Sequence, residues 1–290
     1  MADPIRVVVE RGDAVEAEHV VHAVAVRDGR VTDLAGDAGF VTFLRSSAKP
    51  FQALPLAREE RDLPDEELAI ACASHDGLPD HLAAVEALLA RAKATADDLE
   101  CGLDRDAKLR HNCSGKHAGM LLHAHRRGWP REGYRLAGHP VQAEALALVA
   151  DATGVAAEEI PTGVDGCGVV TFAVSLEAMA LAFARLASDE LDGAARVTHA
   201  MREHPLLIGG PEAADTALMQ ALPGAIAKRG AEGLMCLGLP DGTGVAVKAV
   251  DGANRAAGPA AGLFLGLGER LATPVVNSRN EEVGRVIPIS

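Results

Sequence analysis

Short β-branched runs open the chain. Val7-Val8-Val9, Val20 to Val26 and Val31 to Leu34 read as strands, and Asp28-Gly29 between the last two is a hairpin turn. Gly36 to Gly39 reads as a loop. From Phe51 to about Ala225 the pattern is mainly helical. Leu63-Pro64-Asp65-Glu66-Glu67 opens one helix with a proline and acids suited to a first turn. His81 to Lys93 carries Leu82, Val85, Leu88 and Leu89 on one stripe. Gly115 to Arg127, Val141 to Thr153, Ser175 to Leu186 and Gly193 to Glu203 continue the helical series. Gly163-Val164-Asp165-Gly166-Cys167-Gly168 interrupts it, a loop whose glycines suit close backbone approach or positive φ. The tail returns to strands: Gly233 to Leu239 and Gly244 to Val250 flank the turn Pro240-Asp241-Gly242. Pro259 to Leu271 predicts a closing helix, and Val275-Val276 and Val286 to Ile289 predict last strands.

Strands at both ends with helices between predict an α+β fold in which both termini form one sheet. The expected organisation is a single domain over residues 1–290. Its α/β part covers about 1–45 and 230–290, and its mainly helical lobe about 46–229.

Composition narrows the class. Aromatics are only 3% of the 290 residues, so the core must be built from Ala, Val and Leu. A net charge of −13 and a pI near 5.3 argue against a nucleic-acid partner. No stretch approaches the roughly 20 apolar residues of a membrane span. No N-terminal apolar run follows a basic start, so the cytoplasm is the expected compartment. Five scattered cysteines, an odd number, read as thiols or ligands and not as a disulfide framework. An enzyme of small polar molecules fits all of this.

The candidate chemistry begins at Arg45-Ser46-Ser47-Ala48-Lys49-Pro50-Phe51-Gln52. In a first helical turn, Ser46 and Lys49 share a face. A serine hydroxyl needs a base within reach, and a desolvated lysine can be one. Free N–H groups at a helix start favour developing negative charge. The other reading makes Ser46 or Ser47 a helix cap. Because a residue before proline is pushed from helical angles, Lys49 is expected to be extended, with the helix starting at Pro50.

Ser74, in Ala73-Ser74-His75-Asp76-Gly77, is either a second hydroxyl for proton relay or part of a helix end. His111-Asn112-Cys113-Ser114-Gly115-Lys116-His117 is dense in polar groups. Cys113 lacks a Cys-x-x-Cys partner, and Cys167 could supply a second sulfur to a metal; both also read as small buried hydrophobes. Asp165 is a substrate-orienting group or a turn residue. Lys248, alone in the apolar run Val245 to Val250, either faces water or points inward and lowers the pKa of a nearby lysine base.

Together these segments resemble the Rhizobium-type, or asparaginase II-like, L-asparaginases. The resemblance is carried by Arg45 to Gln52, Cys72-Ala73-Ser74-His75, Asn112 to Met120, Val164 to Gly168, Glu203-His204-Pro205 and Lys248 to Gly252, and runs from about Arg6 to Leu271. It implies a fold similar to serine β-lactamases and penicillin-binding proteins, and hydrolysis of L-asparagine to L-aspartate and ammonia. Carried over by position, it implies Ser46 as nucleophile, Lys49 as base, and Ser74 and Lys248 as a hydroxyl–amine network. Arg45, Asp165 and His19 would hold the substrate. Cys113, Lys116 and Cys167 would hold zinc in a structural or positioning role, and a homodimer is implied. Leu44, Val169-Val170 and Ala17 depart from the family's usual residues. Two other readings remain at this stage: another serine amidohydrolase, such as a glutaminase or a β-lactamase-like esterase, or a non-catalytic metal-binding protein.

Overall fold

The computed structural model describes residues 2–289. The first β-branched runs pair as an antiparallel meander of β1 (Ile5–Arg11), β2 (Ala14–Arg27) and β3 (Arg30–Ala35). Asp28 and Gly29 take φ of 50° and 68°, the left-handed pair that a tight two-residue hairpin demands. β4 (Val41–Phe43) follows, then a 3₁₀ turn over Arg45–Ala48. Six helices come next: α1 (Lys49–Gln52), α2 (Leu54–Glu59), α3 (Asp65–Ala71), α4 (Pro79–Arg91), α5 (Ser114–Arg127) and α6 (Pro140–Thr153). β5 (Thr162–Val164) and β6 (Val170–Ser175) precede α7 (Leu176–Ala187), α8 (Ala194–Glu203), α9 (Pro205–Gly209) and α10 (Ala214–Ala221). The chain closes with β7 (Ile226–Gly230), β8 (Leu234–Gly238), β9 (Gly244–Ala249), α11 (Asn254–Phe264), β10 (Thr273–Val276) and β11 (Glu282–Ile289).

The large sheet runs β10-β11-β1-β2-β9-β8-β7, with β3 also on β2. Both ends of the chain meet in it: β1 pairs with β11, and β2 takes β9 as neighbour with Val21 opposite Ala249. Every residue of β8 and β9 is buried, so both faces there are covered. α7 packs across β2, β8 and β9, and α11 across β1, β2, β8, β9 and β11. Contact with α7 is at backbone range: a Cβ on Gly244 would stand 1.9 Å from the carbonyl oxygen of Ala180. Only glycine lets β9 lie that close.

Two local expectations give way. The middle stretch is not helix throughout, because β4, β6 and β5 form a small second sheet. Val169 to Val174 is an apolar run broken only by Thr171, and periodicity alone does not separate a buried strand from a helix there. The closing helix begins at Asn254 and carries Pro259 inside it, ending at Phe264. The proline marks an interior position with one missing N–H donor, not a start. No helix among the described residues is long and apolar enough to cross a membrane.

Candidate active site

The site is built where β4 hands over to α1. Arg45 turns the chain with φ of +48°, a left-handed backbone at a non-glycine residue, which costs roughly 1–3 kcal/mol and persists only when neighbours enforce it. Its N–H donates to Thr171 Oγ1 at 3.2 Å, and its Nε donates to Asp165 Oδ1 at 2.7 Å. Asp165 is fixed in turn: Oδ1 also accepts from Gly166 N–H at 2.7 Å, and its own N–H donates to Val169 O at 2.8 Å. The glycine loop and β6 thus brace the residue that precedes Ser46. Ser47, fully buried, donates from Oγ to Lys228 O at 2.9 Å and pins the turn to β7.

Lys49 is helical at φ −59° and ψ −40° despite the proline after it, so the expected extended geometry is corrected. Packing around α1 outweighs the local preference: the whole Lys49 side chain is buried. Its Nζ donates to the carbonyl of Ala73, to Ser74 Oγ at 2.9 Å and, at 3.5 Å, to Asn112 O. Those acceptors lie just past α3 and just before α5. The two helices are held close, since a Cβ on Gly115 would meet Ile70 O at 2.1 Å. Burial lowers the Lys49 pKa; the Cys113 sulfur opposes that and the Lys116 charge adds to it.

A second amine reaches the same hydroxyl. Lys228 Nζ, on β7, donates to Ser74 Oγ at 2.9 Å, to Arg229 O at 3.0 Å and to Asp215 Oδ2 at 3.4 Å. Burial pulls its pKa down to about 7, Asp215 resists, and the charges of Lys49 and Arg229 push it further down. The buried Asp215 is saturated: it also accepts from the Arg229 and Thr216 backbone N–H groups and from Arg229 Nη1 at 3.3 Å. Arg229 Nη2 donates to Ser74 O at 2.7 Å. Ser74 therefore sits between two dry amines.

Lys248 does not join them. Its Nζ donates to Glu232 O at 2.7 Å and to the Ala249 carbonyl. The whole of β8 lies between β9 and β7, which places the two lysines' strands roughly 10 Å apart. The sequence reading missed Lys228, Arg229 and Asp215. The signal available was Ile226-Ala227-Lys228 between the breaks at Pro223-Gly224 and Gly230.

Ser46 and Ser74 open onto one cavity of about 680 Å³, together with Asn112, Arg229, Gly230 and Ala231. Among the described residues, no hydrogen bond joins Ser46 Oγ to Lys49 Nζ. Arg45, next to Ser46 in the chain, and Asp165, its partner, are both outside the lining of that cavity. His19 is also outside it: its Nδ1–H donates to Asp251 Oδ2 at 2.6 Å and its Nε2 accepts from Arg255 Nε at 3.1 Å. It props Arg255, which does line the cavity.

Cys113, Lys116 and Cys167 converge and are buried. Lys116 Nζ lies 2.9 Å from Cys167 Sγ. The neighbouring Cys167 holds Cys113 well below the usual thiol pKa, and Cys113 in turn raises Cys167. Burial alone would lower Lys116, but the two sulfurs outweigh it and keep the amine charged. Two soft sulfurs and one nitrogen form a donor set that suits zinc with one position left open, provided the amine gives up its proton.

With this geometry in view, the chain's relatives take their place. The chain belongs to the L-asparaginase II family, whose pattern matches residues 7–286. That membership supports an amidohydrolase. No curated protein matches it. Among solved structures, it is similar to Mglu in its native form, at 17% identity over 85% of this chain and 61% of that one, with a TM-score of 0.41. It thus spans about 61% of the length of Mglu. It is also similar to a probable glutaminase from Bacillus subtilis complexed with 6-diazo-5-oxo-L-norleucine, at 14% identity, 84% and 81% coverage and a TM-score of 0.38. EstCE1, a hydrolase with promiscuous acyltransferase activity, gives 14% identity, 80% and 89% coverage and a TM-score of 0.39.

Proposed function

We propose that the protein hydrolyses the side-chain amide of L-asparagine, giving L-aspartate and ammonia, with Ser46 as the nucleophile. One observation supports this most: Ser74 Oγ accepts from two fully buried amines, Lys49 and Lys228, at 2.9 Å each, on the wall of the cavity that Ser46 lines. A buried amine that sheds its charge is a base where water cannot compete. Lys49 takes the Ser46 proton as Oγ bonds to the amide carbon. The backbone N–H groups of Ser46 and Ala231, both on the cavity lining, are the candidates to hold the oxyanion. The C–N bond then breaks, and ammonia leaves with a proton passed through Ser74 from the amines. Water cleaves the ester by the same route in reverse, restoring Ser46. Ammonia release from L-asparagine by purified protein, with L-glutamine as comparator, tests the reading. No release from asparagine would refute it, and equal rates on glutamine would reassign the substrate.

The two-amine network sets an expected pH profile. Accepting a proton requires an uncharged amine: Lys49 becomes one by passing a proton through Ser74 to Lys228, whose pKa near 7 leaves it neutral in part of the working range. It faces Asp215 on α10, Arg229 on its own strand and Lys49 on α1. The neutral fraction grows as pH rises, so kcat/KM should climb roughly tenfold from about pH 6 to 8. In Lys228→Arg the side chain stays charged, and that rising limb should vanish along with most activity. A wild-type profile flat across this range would count against the network.

Zinc held by Cys113, Lys116 and Cys167 would tie α5 to the loop at 165–168 and so steady Asp165 and Arg45, a positioning role outside the reaction steps. Elemental analysis of protein purified without chelator should find about one zinc per chain. In Cys113→Ser the zinc content and the melting temperature should fall together. Full stability without metal would exclude the role.

A further inference from the structure

Resting on the amidohydrolase reading, we infer that the cavity is shaped for an N-substituted amide, in which the amine half carries an apolar group and a carboxylate. The substrate class is a β-aspartyl amide of an apolar amino acid, besides the primary amide of asparagine.

Size is the first reason. About 680 Å³ falls in the range of sites that enclose drug-sized ligands, about 300–1,000 Å³. Asparagine fills a small part of that. The second reason is that the lining is mixed. Ser74, Asn112 and Arg229 lie together, since Lys49 Nζ donates to Ser74 Oγ and Asn112 O, and Arg229 Nη2 donates to Ser74 O. The same cavity has an apolar lining from Ala217 of α10, Leu234 and Met235 of β8, Pro259 of α11 and Leu271. The third is charge. Arg255 and Arg270 stand at the cavity's exposed edge. Among the described residues neither has a carboxylate partner, and the Arg255 Nε donates to Nε2 of His19. Glu212 is the single acid on the lining, so the edge keeps a net positive charge.

The orientation follows from the proton. The departing nitrogen must receive hydrogen, and Ser74, the hydroxyl between the two amines, faces this same cavity. The amine half therefore points into the chamber, its side chain against the apolar wall and its carboxylate towards Arg255 and Arg270. The chemistry balances without a further reactant. Ser46 Oγ bonds to the β-carbonyl carbon, the C–N bond breaks, and the free amino acid leaves with the relayed proton. Water then releases aspartate.

The test uses the purified full chain with L-asparagine, β-aspartyl-leucine, β-aspartyl-glycine and β-aspartyl-leucinamide, with released ammonia and leucine quantified by chromatography. The leucine compound should exceed the glycine compound in kcat/KM by about tenfold, the scale of a filled apolar subsite. It should exceed the leucinamide by about fivefold, the scale of an exposed ion pair. Ala217→Phe, which fills the apolar wall, should cut the leucine-over-glycine ratio at least about fivefold. Arg270→Gln should erase most of the preference for the carboxylate. Ammonia from asparagine with no leucine from the dipeptide overturns this inference and leaves the asparaginase reading standing. Leucine release without preference over glycine also overturns it. Turnover of the dipeptide alone supports the inference and removes asparagine as the substrate, and turnover of neither compound ends both.

Discussion

Ser46→Ala should abolish turnover while the fold persists. Ser46 is half-buried at the cavity and its Oγ supports no neighbouring backbone, whereas Ser47 beside it anchors β7 through Lys228 O. Removing one hydroxyl there takes the bond-forming atom and nothing structural. Loss of an enzyme's nucleophilic serine costs on the order of 10³–10⁶ in kcat. The measurement is initial-rate ammonia release beside a thermal melt, and the melt should stay within about 2 °C of wild type, as expected for a change under 0.5 kcal/mol. Ser47→Ala should reverse the pattern, with lower stability and a smaller kinetic loss. Wild-type turnover in Ser46→Ala would assign the chemistry to another group.

Lys228→Met should be nearly as damaging, for two separable reasons. Ser74 would keep one amine partner, Lys49, and the proton route would lose the amine beyond Ser74, a loss of about 10²–10⁴ in kcat. Asp215, with no exposed surface, would keep only Arg229 as counter-charge. Stripping one partner from a buried pair destabilises by about 3–5 kcal/mol. Pairing the change with Asp215→Leu removes the orphaned carboxylate and should recover part of the melting temperature but none of the rate. Lys248→Met supplies the contrast. Its amine serves two backbone carbonyls at the β7–β8 hairpin and the end of β9, so the cost should be a few-fold in rate and about 1–2 kcal/mol in stability. Equal kinetic losses at the two lysines would refute the assignment.

The contrast between these lysines shows where the sequence stops. Val245-Ala246-Val247-Lys248 and Ile226-Ala227-Lys228 are the same kind of text, an apolar strand with one amine. Which amine meets Ser74 depends on strand order, and the order β9-β8-β7 is set by pairings that local pattern does not encode. The long periodic helices and the N-terminal strands were legible because burial on one face writes itself as spacing. β5 and β6 were not, since their few residues pair only with each other and β4. The segments bearing Ser46, Lys49 and Ser74 stood out by residue type, yet nothing local states that Lys49 and Ser74, 25 positions apart, lie at 2.9 Å. His19 was singled out by resemblance, and its ring serves Asp251 and Arg255 instead of the cavity.

The close seam between α3 and α5 has a consequence for how this protein can drift. Gly115 admits no side chain, because Ile70 O stands where a methyl would go. A mutation there would wedge the helices apart without touching any group that reacts. The crevice so opened would hydrate Lys49 through its ties at Ala73 and Asn112, and a wetted ammonium keeps its proton. Such a lineage would retain every chemical group intact and still fall silent, so inactive descendants of this chain are to be sought in its glycines as much as in its serines and lysines.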